Sequence, residues 1–184
     1  MQFKTLLSLL PLVAAVLGYV VPEDTPDGFY AVTFDEHGNS TTHQIDPSTL
    51  ATIGEPLEKR GLLQPSTKHL HRRQTPKSYS GTGKTFPVHS DYDQCTIEWR
   101  NFFKDGKFVP KHTIYYLTVG QAVLAGCNYQ STASFGPKYP FVDNYNAFMD
   151  ANVGYWRTGW AHYSPGFDFT FWRDFKGTAL CTSL

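Results

Sequence analysis

The segment that most constrains this chain is 57–73, because it divides the sequence into two parts of different composition. It holds two copies of a Leu-x-x-Arg pattern that ends in paired basic residues, Lys59-Arg60 and Arg72-Arg73. Kexin-like and furin-like proteases cut after such pairs, because two adjacent cationic side chains fill two anionic pockets at once. The alternative is ordinary solvated charge in a linker. The repeat, with Leu at the same offset, favours a double processing site.

The chain before this segment has the composition of an exported precursor. Residues 1–18 hold one Lys followed by the apolar run LLSLLPLVAAVLG, which is too short and too interrupted by proline to span a bilayer. The run predicts a signal peptide that is cut after Gly18. Residues 19–73 carry eight acidic and five basic residues, and four of the five bases belong to the two pairs. We therefore expect an acidic pro-segment over 19–73.

Residues 74–184 are the only part with enough aromatic side chains for a core, since they contain all four Trp and 24 aromatic residues in total. A chain of this size buries roughly two-thirds of its unfolded surface. Seven Lys, three Arg, seven Asp and one Glu leave it close to neutral, which argues against a nucleic-acid-binding protein. No second long apolar stretch follows, so we expect no stable membrane insertion. The prediction is a mature, secreted, extracellular domain over 74–184.

Within the pro-segment, residues 28–45 alternate apolar and polar side chains around a turn at 37–39, which predicts a β-hairpin. Asn39 begins the only glycosylation sequon, and it lies at that turn. Strands here could lend an edge to the following domain while it folds. The alternative is a disordered spacer that carries a glycan.

The mature domain is predicted to mix strands and helices. Its first residues, before Val88, are rich in Gly, Ser, Thr and Pro and indicate a flexible N-terminus. Residues 95–103 and 114–117 indicate the two strands of an antiparallel hairpin. Helical spacing of apolar residues predicts a short helix over 118–127.

A second helix is predicted to begin at Asp143, which suits an N-cap, and to stop at Gly154. Alternating Phe residues at 167, 169 and 171 predict one of the last strands. The order of elements predicts an α+β fold with a small antiparallel sheet, two short helices on one side and at least one disulfide.

Three cysteines in a secreted domain leave one disulfide and one remainder. Cys95 and Cys181 fall in predicted strands at opposite ends of the domain, whereas Cys127 falls on the apolar face of a predicted helix. We therefore expect a bridge between Cys95 and Cys181, whose long loop would add on the order of 4.5 kcal/mol. In the alternative, Cys127 pairs with one end and the other end keeps a reactive thiol.

The order of signal peptide, acidic pro-segment, Leu-x-x-Arg dibasic sites and a small aromatic domain with cysteines resembles the kexin-processed secreted effectors and toxins of fungi. Within the domain, AVLAGCNY at 122–129 and GYWRTGWAHY at 154–163 are similar to a loosely defined group of small fungal secreted proteins. The resemblance implies maturation by a kexin-like protease. It also implies binding of a protein or glycan target of a host or competitor. No catalytic residue follows from it, and we expect no cofactor and no metal.

An enzyme has to be argued from the residues alone. Histidines and carboxylates can carry acid–base cleavage of RNA while an arginine steadies a phosphate. The candidates are His89, His112, His162, Glu98, Asp91, Asp93, Asp168, Arg100 and Arg157. The sequence lacks the Gly-x-Ser-x-Gly, His-Glu-x-x-His and phosphate-loop signatures. A secreted hydrolase of ribonuclease type is therefore the alternative to a binding protein.

Trp156, Trp160, Tyr163 and Trp172 are candidate binding residues, because exposed aromatic rings stack on sugars or anchor protein interfaces. The opposing interpretation places them in the core. They support binding only if they form a contiguous exposed patch. A carbohydrate-binding or cell-wall protein is a second alternative.

Overall fold

The structure, a computed structural model, describes residues 18–35, 37–46, 75–104, 108–129, 134–135, 139–163 and 169–182. The predicted signal peptide up to residue 17, both dibasic pairs and Asp168 lie outside the described residues.

A seven-stranded antiparallel sheet forms the centre of the protein. The strands are β1 (Tyr19–Val20), β2 (Gly28–Phe34), β3 (Ser40–Ile45), β4 (Ser78–Thr85), β5 (Phe108–Val109), β6 (Thr113–Val119), β7 (Ala122–Asn128), β8 (Ser134–Phe135), β9 (Arg157–Tyr163), β10 (Phe169–Phe175) and β11 (Ala179–Leu180). The helices are α1 (His89–Phe102) and α2 (Tyr139–Asn152). The large sheet has the order β3-β2-β6-β7-β10-β9-β4, and β1 pairs with β11 and β5 with β8.

Both helices pack on one face of this sheet. In α1 the buried residues recur at helical spacing, at Tyr92, Cys95, Trp99 and Phe102. The prediction of a strand over 95–103 is therefore wrong. The period of 3.6 residues becomes visible only when the row of apolar residues is followed from Tyr92, before the start of the predicted strand at Cys95.

Strand β7 lies at the middle of the sheet and is buried on both faces, so all seven of its residues are buried. Such a strand reads as a continuous apolar run without alternation, which is easily confused with a helix. The predicted helix over 118–127 is wrong for this reason. Gly120 and Gln121 instead form the tight turn between β6 and β7, and a side chain at Gly120 (φ 54°) would overlap the Asp91 carboxylate.

Arg173 anchors the helices to the sheet although its side chain is fully buried. Its guanidinium donates to the Tyr92 hydroxyl of α1 at 2.9 Å and to the Asp150 carboxylate of α2 at 2.7 Å. It also donates to the Gly154 carbonyl oxygen at 2.7 Å. A charge removed from water needs such partners, so this contact fixes the positions of α1, α2 and β10 relative to one another.

The opposite face of the sheet is covered by the two ends of the described chain. Strands β1 and β11 lie here, and the core on this side includes Val21, Tyr116, Trp172 and Leu180. A disulfide between Cys127 and Cys181 ties β7 to the residue that follows β11.

The expected bridge between Cys95 and Cys181 is therefore wrong. Cys95 is a buried free thiol on α1, on the face of the sheet opposite to the disulfide. The alternative pairing, of Cys127 with one end of the domain, is confirmed. Burial raises the pKa of the Cys95 thiol well above its usual range, so the thiol left over is not the reactive one that this alternative expected.

The segment 19–45, predicted as part of a pro-segment, contributes β1, β2 and β3 to the fold. The hairpin prediction over 28–45 is confirmed, and β2 pairs on its other side with β6. At the far edge of the sheet, β4 occupies residues predicted to be a flexible N-terminus, so the ordered chain does not begin near Val88.

The predicted α+β class is confirmed, since the part of the chain that the structure describes forms an antiparallel sheet with two helices and one disulfide. The sheet is large rather than small. A second helix is confirmed as α2, but it begins at Tyr139, so the predicted N-cap at Asp143 is wrong and this residue lies inside the helix. The strand predicted by alternating Phe residues is β10. Among the described residues, no helix combines the length and apolar character that a membrane crossing requires.

Candidate functional site

The turn between α2 and β9 holds Trp156 in an uncommon backbone conformation. Its φ is 57°, and a positive φ is rare for a large side chain. The preceding Gly154 has φ 114°, and the Trp156 carbonyl oxygen accepts from the Phe86 amide at 2.9 Å. Residues held in such conformations cluster at functional sites, because the surrounding structure must compensate for their strain.

This backbone places the Trp156 ring against the first turn of α1. The ring stacks on His89, with centroids 3.8 Å apart and planes 8° from parallel. Its Nε1 donates to Asp93 Oδ1 at 3.0 Å. His89 and Asp93 are four residues apart, so the helix presents both side chains on the same face.

Tyr155 completes the arrangement. Its hydroxyl donates to the same Asp93 oxygen at 3.1 Å, and its ring meets Trp156 edge-on at 4.8 Å. Burial, followed by the hydrogen bond and charge of Asp93, raises the pKa of Tyr155, so the phenol stays a neutral donor near pH 7.

Part of this arrangement is exposed. Tyr155 is 53% exposed and His89 is exposed, whereas Trp156 is half-buried and packs partly against the core of the helical face. We refer to the set as the Trp156 cluster: His89, Asp93, Tyr155 and Trp156. A single carboxylate orients two aromatic side chains at the surface, which is the geometry of a preformed contact site.

The other three predicted binding residues lie elsewhere. Tyr163 is 3% exposed in the helical core, and Trp172 is 5% exposed in the core of the opposite face. Trp160 is partly buried beside Trp172, with ring centroids 5.9 Å apart. The four residues therefore do not form one patch, and Trp156 alone belongs to the cluster.

Of the proposed acid–base residues, the structure brings His89 and Asp93 together in the Trp156 cluster, but Glu98, His112 and His162 lie apart from it. His89 and Glu98 are nine residues apart on α1, which separates their Cα atoms by about 13.5 Å. His162 is buried on the opposite face, where Nδ1 lies 2.9 Å from the Thr170 hydroxyl oxygen. His112 precedes β6, whereas Asp91 contacts the turn that follows β6.

The arginines of that hypothesis have structural partners instead. Arg100 on α1 makes two hydrogen bonds to Asp143 on α2, at 2.7 and 3.1 Å. Arg157 donates to the Gly83 carbonyl oxygen at 2.9 Å. Within the described ranges, no group of three His, Cys, Asp or Glu side chains is placed to hold a metal ion.

Asn39, the predicted glycan acceptor, is exposed at the turn between β2 and β3. Its side-chain amide donates to Asp35 at 2.9 Å. Glycosylation at this position stays a prediction.

Tyr155 and the role of Asp93 were missed from sequence. The available signal was the Gly154-Tyr155-Trp156 run directly after a helix stop, since a Gly at that point indicates a tight turn that exposes its next residues. The contact to α1 is tertiary and leaves no periodic trace in the sequence.

No family model matches the chain, no curated protein matches its sequence, and no solved structure matches its fold.

Proposed function

We propose that this protein is a secreted precursor that, after cleavage by a kexin-like protease, acts outside its cell by binding a protein of a host or competitor. The Trp156 cluster is the proposed contact surface. The resemblance to fungal effectors and toxins supports the biological setting, and the surface geometry supports the mode of action.

One observation carries this proposal: Tyr155 and Trp156 both donate to Asp93 while Tyr155 is 53% exposed and Trp156 is only half-buried. Binding normally costs side-chain entropy, and rings already fixed by hydrogen bonds and stacking lose little of it. Tyr and Trp are also the residue types that dominate binding energy at protein interfaces.

The test compares ring removal in the cluster with ring removal elsewhere. Trp156→Asn removes the ring but keeps a residue type that tolerates positive φ, so the backbone strain does not confound the result. Tyr155→Ser removes the second ring. The matched control is Tyr79→Ser, since Tyr79 is 46% exposed and lies on β4 against α2.

Each secreted variant is assayed by infiltration of host tissue or by growth inhibition of competitor cells, together with thermal unfolding. We expect each cluster variant to lose about tenfold in potency, since removing an anchor ring costs more than about 1 kcal/mol. Tyr79→Ser should stay within twofold. Full potency of Trp156→Asn and Tyr155→Ser would refute the proposed surface. If the wild-type protein binds untreated target cells but not deglycosylated ones, the target is a glycan and not a protein.

His89→Phe separates binding from acid–base catalysis. Phenylalanine keeps a ring that can stack on Trp156 but cannot carry a proton. A binding protein should keep its potency within a few-fold. If His89 is a general acid or base, the same change should cost about 100-fold to 10,000-fold in rate. Such a loss in a variant that still unfolds normally would favour the ribonuclease alternative.

A further inference from the structure

We propose that cleavage at the dibasic pairs produces a two-chain protein, in which the fragment 19–60 stays bound to the fragment 74–184 through β1, β2 and β3. This inference rests on the processing that the proposed function includes. It differs from the removal of a pro-segment, because the first fragment is retained as part of the active molecule.

The first argument is the position of β2 inside the large sheet. It lies between β3 and β6, and its pairs with β6 run from Gly28 opposite Thr118 to Thr33 opposite Thr113. Both dibasic sites fall between residues 46 and 75, which is outside β2 and β6. Cleavage there therefore breaks none of the backbone pairing between these two strands. Loss of the fragment would turn β6 into an edge with unpaired backbone groups.

The second argument is apolar burial on both faces of the sheet. On the helical face, the Phe29 ring stacks on Phe102 of α1 at 4.5 Å. On the opposite face, Tyr30 stacks on Tyr116 at 4.9 Å, and Val21 and Val32 are completely buried. Departure of the fragment would therefore expose both cores to water.

The third argument is a set of polar contacts near the N-terminal end of the fragment. Thr118 Oγ1 donates to the Pro26 carbonyl oxygen at 2.7 Å, and the Gly120 amide donates to Asp27 at 2.9 Å. Lys176 Nζ donates to the Thr25 carbonyl oxygen at 2.6 Å.

These contacts continue to the first described strand. The Gly177 amide donates to the Val21 carbonyl oxygen at 2.7 Å, and Tyr19 pairs with Leu180. Tyr19 is the residue that the predicted signal cleavage would leave first, so the new N-terminus would lie within β1.

The two fragments would be joined without a covalent bond. One water hydrolyses the Arg60–Gly61 amide and a second hydrolyses the Arg73–Gln74 amide, and each cut leaves one carboxylate and one amine. The disulfide joins Cys127 to Cys181, the remaining cysteine Cys95 is free, and all three lie in the second fragment. Association therefore depends on strand pairing, on burial and on the polar contacts described above.

The test starts from the complete secreted precursor, carrying Arg60→Ala and Arg73→Ala as the uncut reference. Purified wild-type precursor is cut with a kexin-type protease and analysed by size exclusion, native mass spectrometry and a denaturing, non-reducing gel. We expect both fragments to elute together as a one-to-one complex and to separate on the gel. Elution of a folded 74–184 fragment without its partner would overturn the inference.

A variant pair tests whether the described contacts hold the fragments. Phe29→Ala should release the first fragment after cleavage, while the uncut chain stays folded because the linker keeps the strands at high effective concentration. The control is Thr33→Ala on the same strand, where the side chain is exposed. If uncut Phe29→Ala does not fold, Val32→Ala replaces it as the smaller truncation. Retention of the fragment by the folded variant would contradict the proposed interface.

The outcome is independent of the binding surface. The whole Trp156 cluster lies in the second fragment, so its variants can be assayed whether or not the first fragment remains bound. Potency that survives release of the first fragment would leave the binding proposal intact and remove the two-chain form from its mechanism.

Discussion

The two faces of the sheet draw their buried residues from different parts of the chain. The helical face is built almost entirely from residues after the dibasic pairs, with Phe29 as a buried contribution from before them. The opposite face takes Val21, Tyr30 and Val32 from before the pairs and is closed by the disulfide. A segment with the composition of a pro-segment thus supplies a structural layer. The acidic and polar residues of this segment are on its surface: Glu23, Asp24, Asp27, Asp35 and Asp46 are exposed, and β3 is an exposed edge strand.

The largest expected effect comes from removing that layer during synthesis. A chain that carries Gln74 directly after the signal peptide loses the burial of Val21, Phe29 and Val32, worth about 5–9 kcal/mol together. Domains are typically stable by about 5–15 kcal/mol, so we expect loss of cooperative folding and of secretion. Circular dichroism and thermal unfolding of the product are the measurements.

Rescue in trans provides the control for this deletion. A synthetic peptide of residues 19–46 should restore a cooperative transition, whereas the same peptide with Phe29→Ala should not. If the deletion variant unfolds cooperatively near the wild-type temperature with no peptide present, the opposite face does not need the residues that precede the dibasic pairs.

The next effect concerns the disulfide on the opposite face. The bridge closes a loop with a sequence separation of 54 residues, so Cys181→Ser should cost about 4 kcal/mol by the loop-entropy estimate. On the helical face, Cys95→Ala removes a buried thiol and should cost only about 1 kcal/mol. Denaturant unfolding of both variants measures the difference. Equal costs, or a native thiol that reacts readily with iodoacetamide, would contradict this assignment.

Two of the predicted elements, the hairpin over 28–45 and α2, show one face to water. The hairpin has alternating polar positions, and α2 has an apolar row and a Gly stop, so the sequence predicts both, although the predicted N-cap at Asp143 lies inside the helix. Strand β7 could not be predicted as a strand, because its burial on both faces of the sheet removes the alternation of apolar and polar residues. Helix α1 was missed because its start, at His89, has no side-chain cap.

The candidate site was predictable only in part. Trp156 was identified as a binding candidate, but Tyr163 and Trp172 could not be assigned to the core without knowing which face each strand position occupies. Prediction of the Cys127–Cys181 bridge requires the same information. When β7 is mistaken for a helix, Cys127 is assigned to a helix and not to the sheet, where it pairs with Cys181. These errors share one cause, which is that pairing partners are set by tertiary contacts.

A smaller effect is expected on the helical face at Asp150. Asp150→Asn leaves the buried Arg173 guanidinium without its charged partner. Breaking a buried ion pair typically costs 3–5 kcal/mol, and because Asp150 is 27% exposed we expect the lower end, about 3 kcal/mol. Asp143→Asn, at the more exposed pair with Arg100, is the control and should cost less than about 1 kcal/mol. Similar costs for the two variants would show that Arg173 does not anchor the helices.

The smallest expected effect is a pH dependence of the opposite face, at Asp174. Its side chain is 1% exposed, Oδ1 accepts from the Phe175 amide, and Oδ2 is buried with no hydrogen-bond partner. Burial raises the pKa of Asp174, an effect only partly offset by the hydrogen bonds from the Phe175 amide and the Thr178 hydroxyl and by the charge of Lys84.

Because the folded state binds the Asp174 proton more tightly than the unfolded chain, this group lowers stability as the pH rises from the unfolded pKa, about 3.9, through the raised folded value. Asp174→Asn carries no such proton. Its unfolding temperature relative to wild type should therefore be highest near pH 7 and should fall as the pH is lowered towards 4. The exposed Asp24→Asn serves as the control for the loss of one surface carboxylate. Thermal unfolding in a pH series measures both, and parallel curves for wild type and Asp174→Asn would mean that the buried carboxylate does not titrate differently in the folded protein.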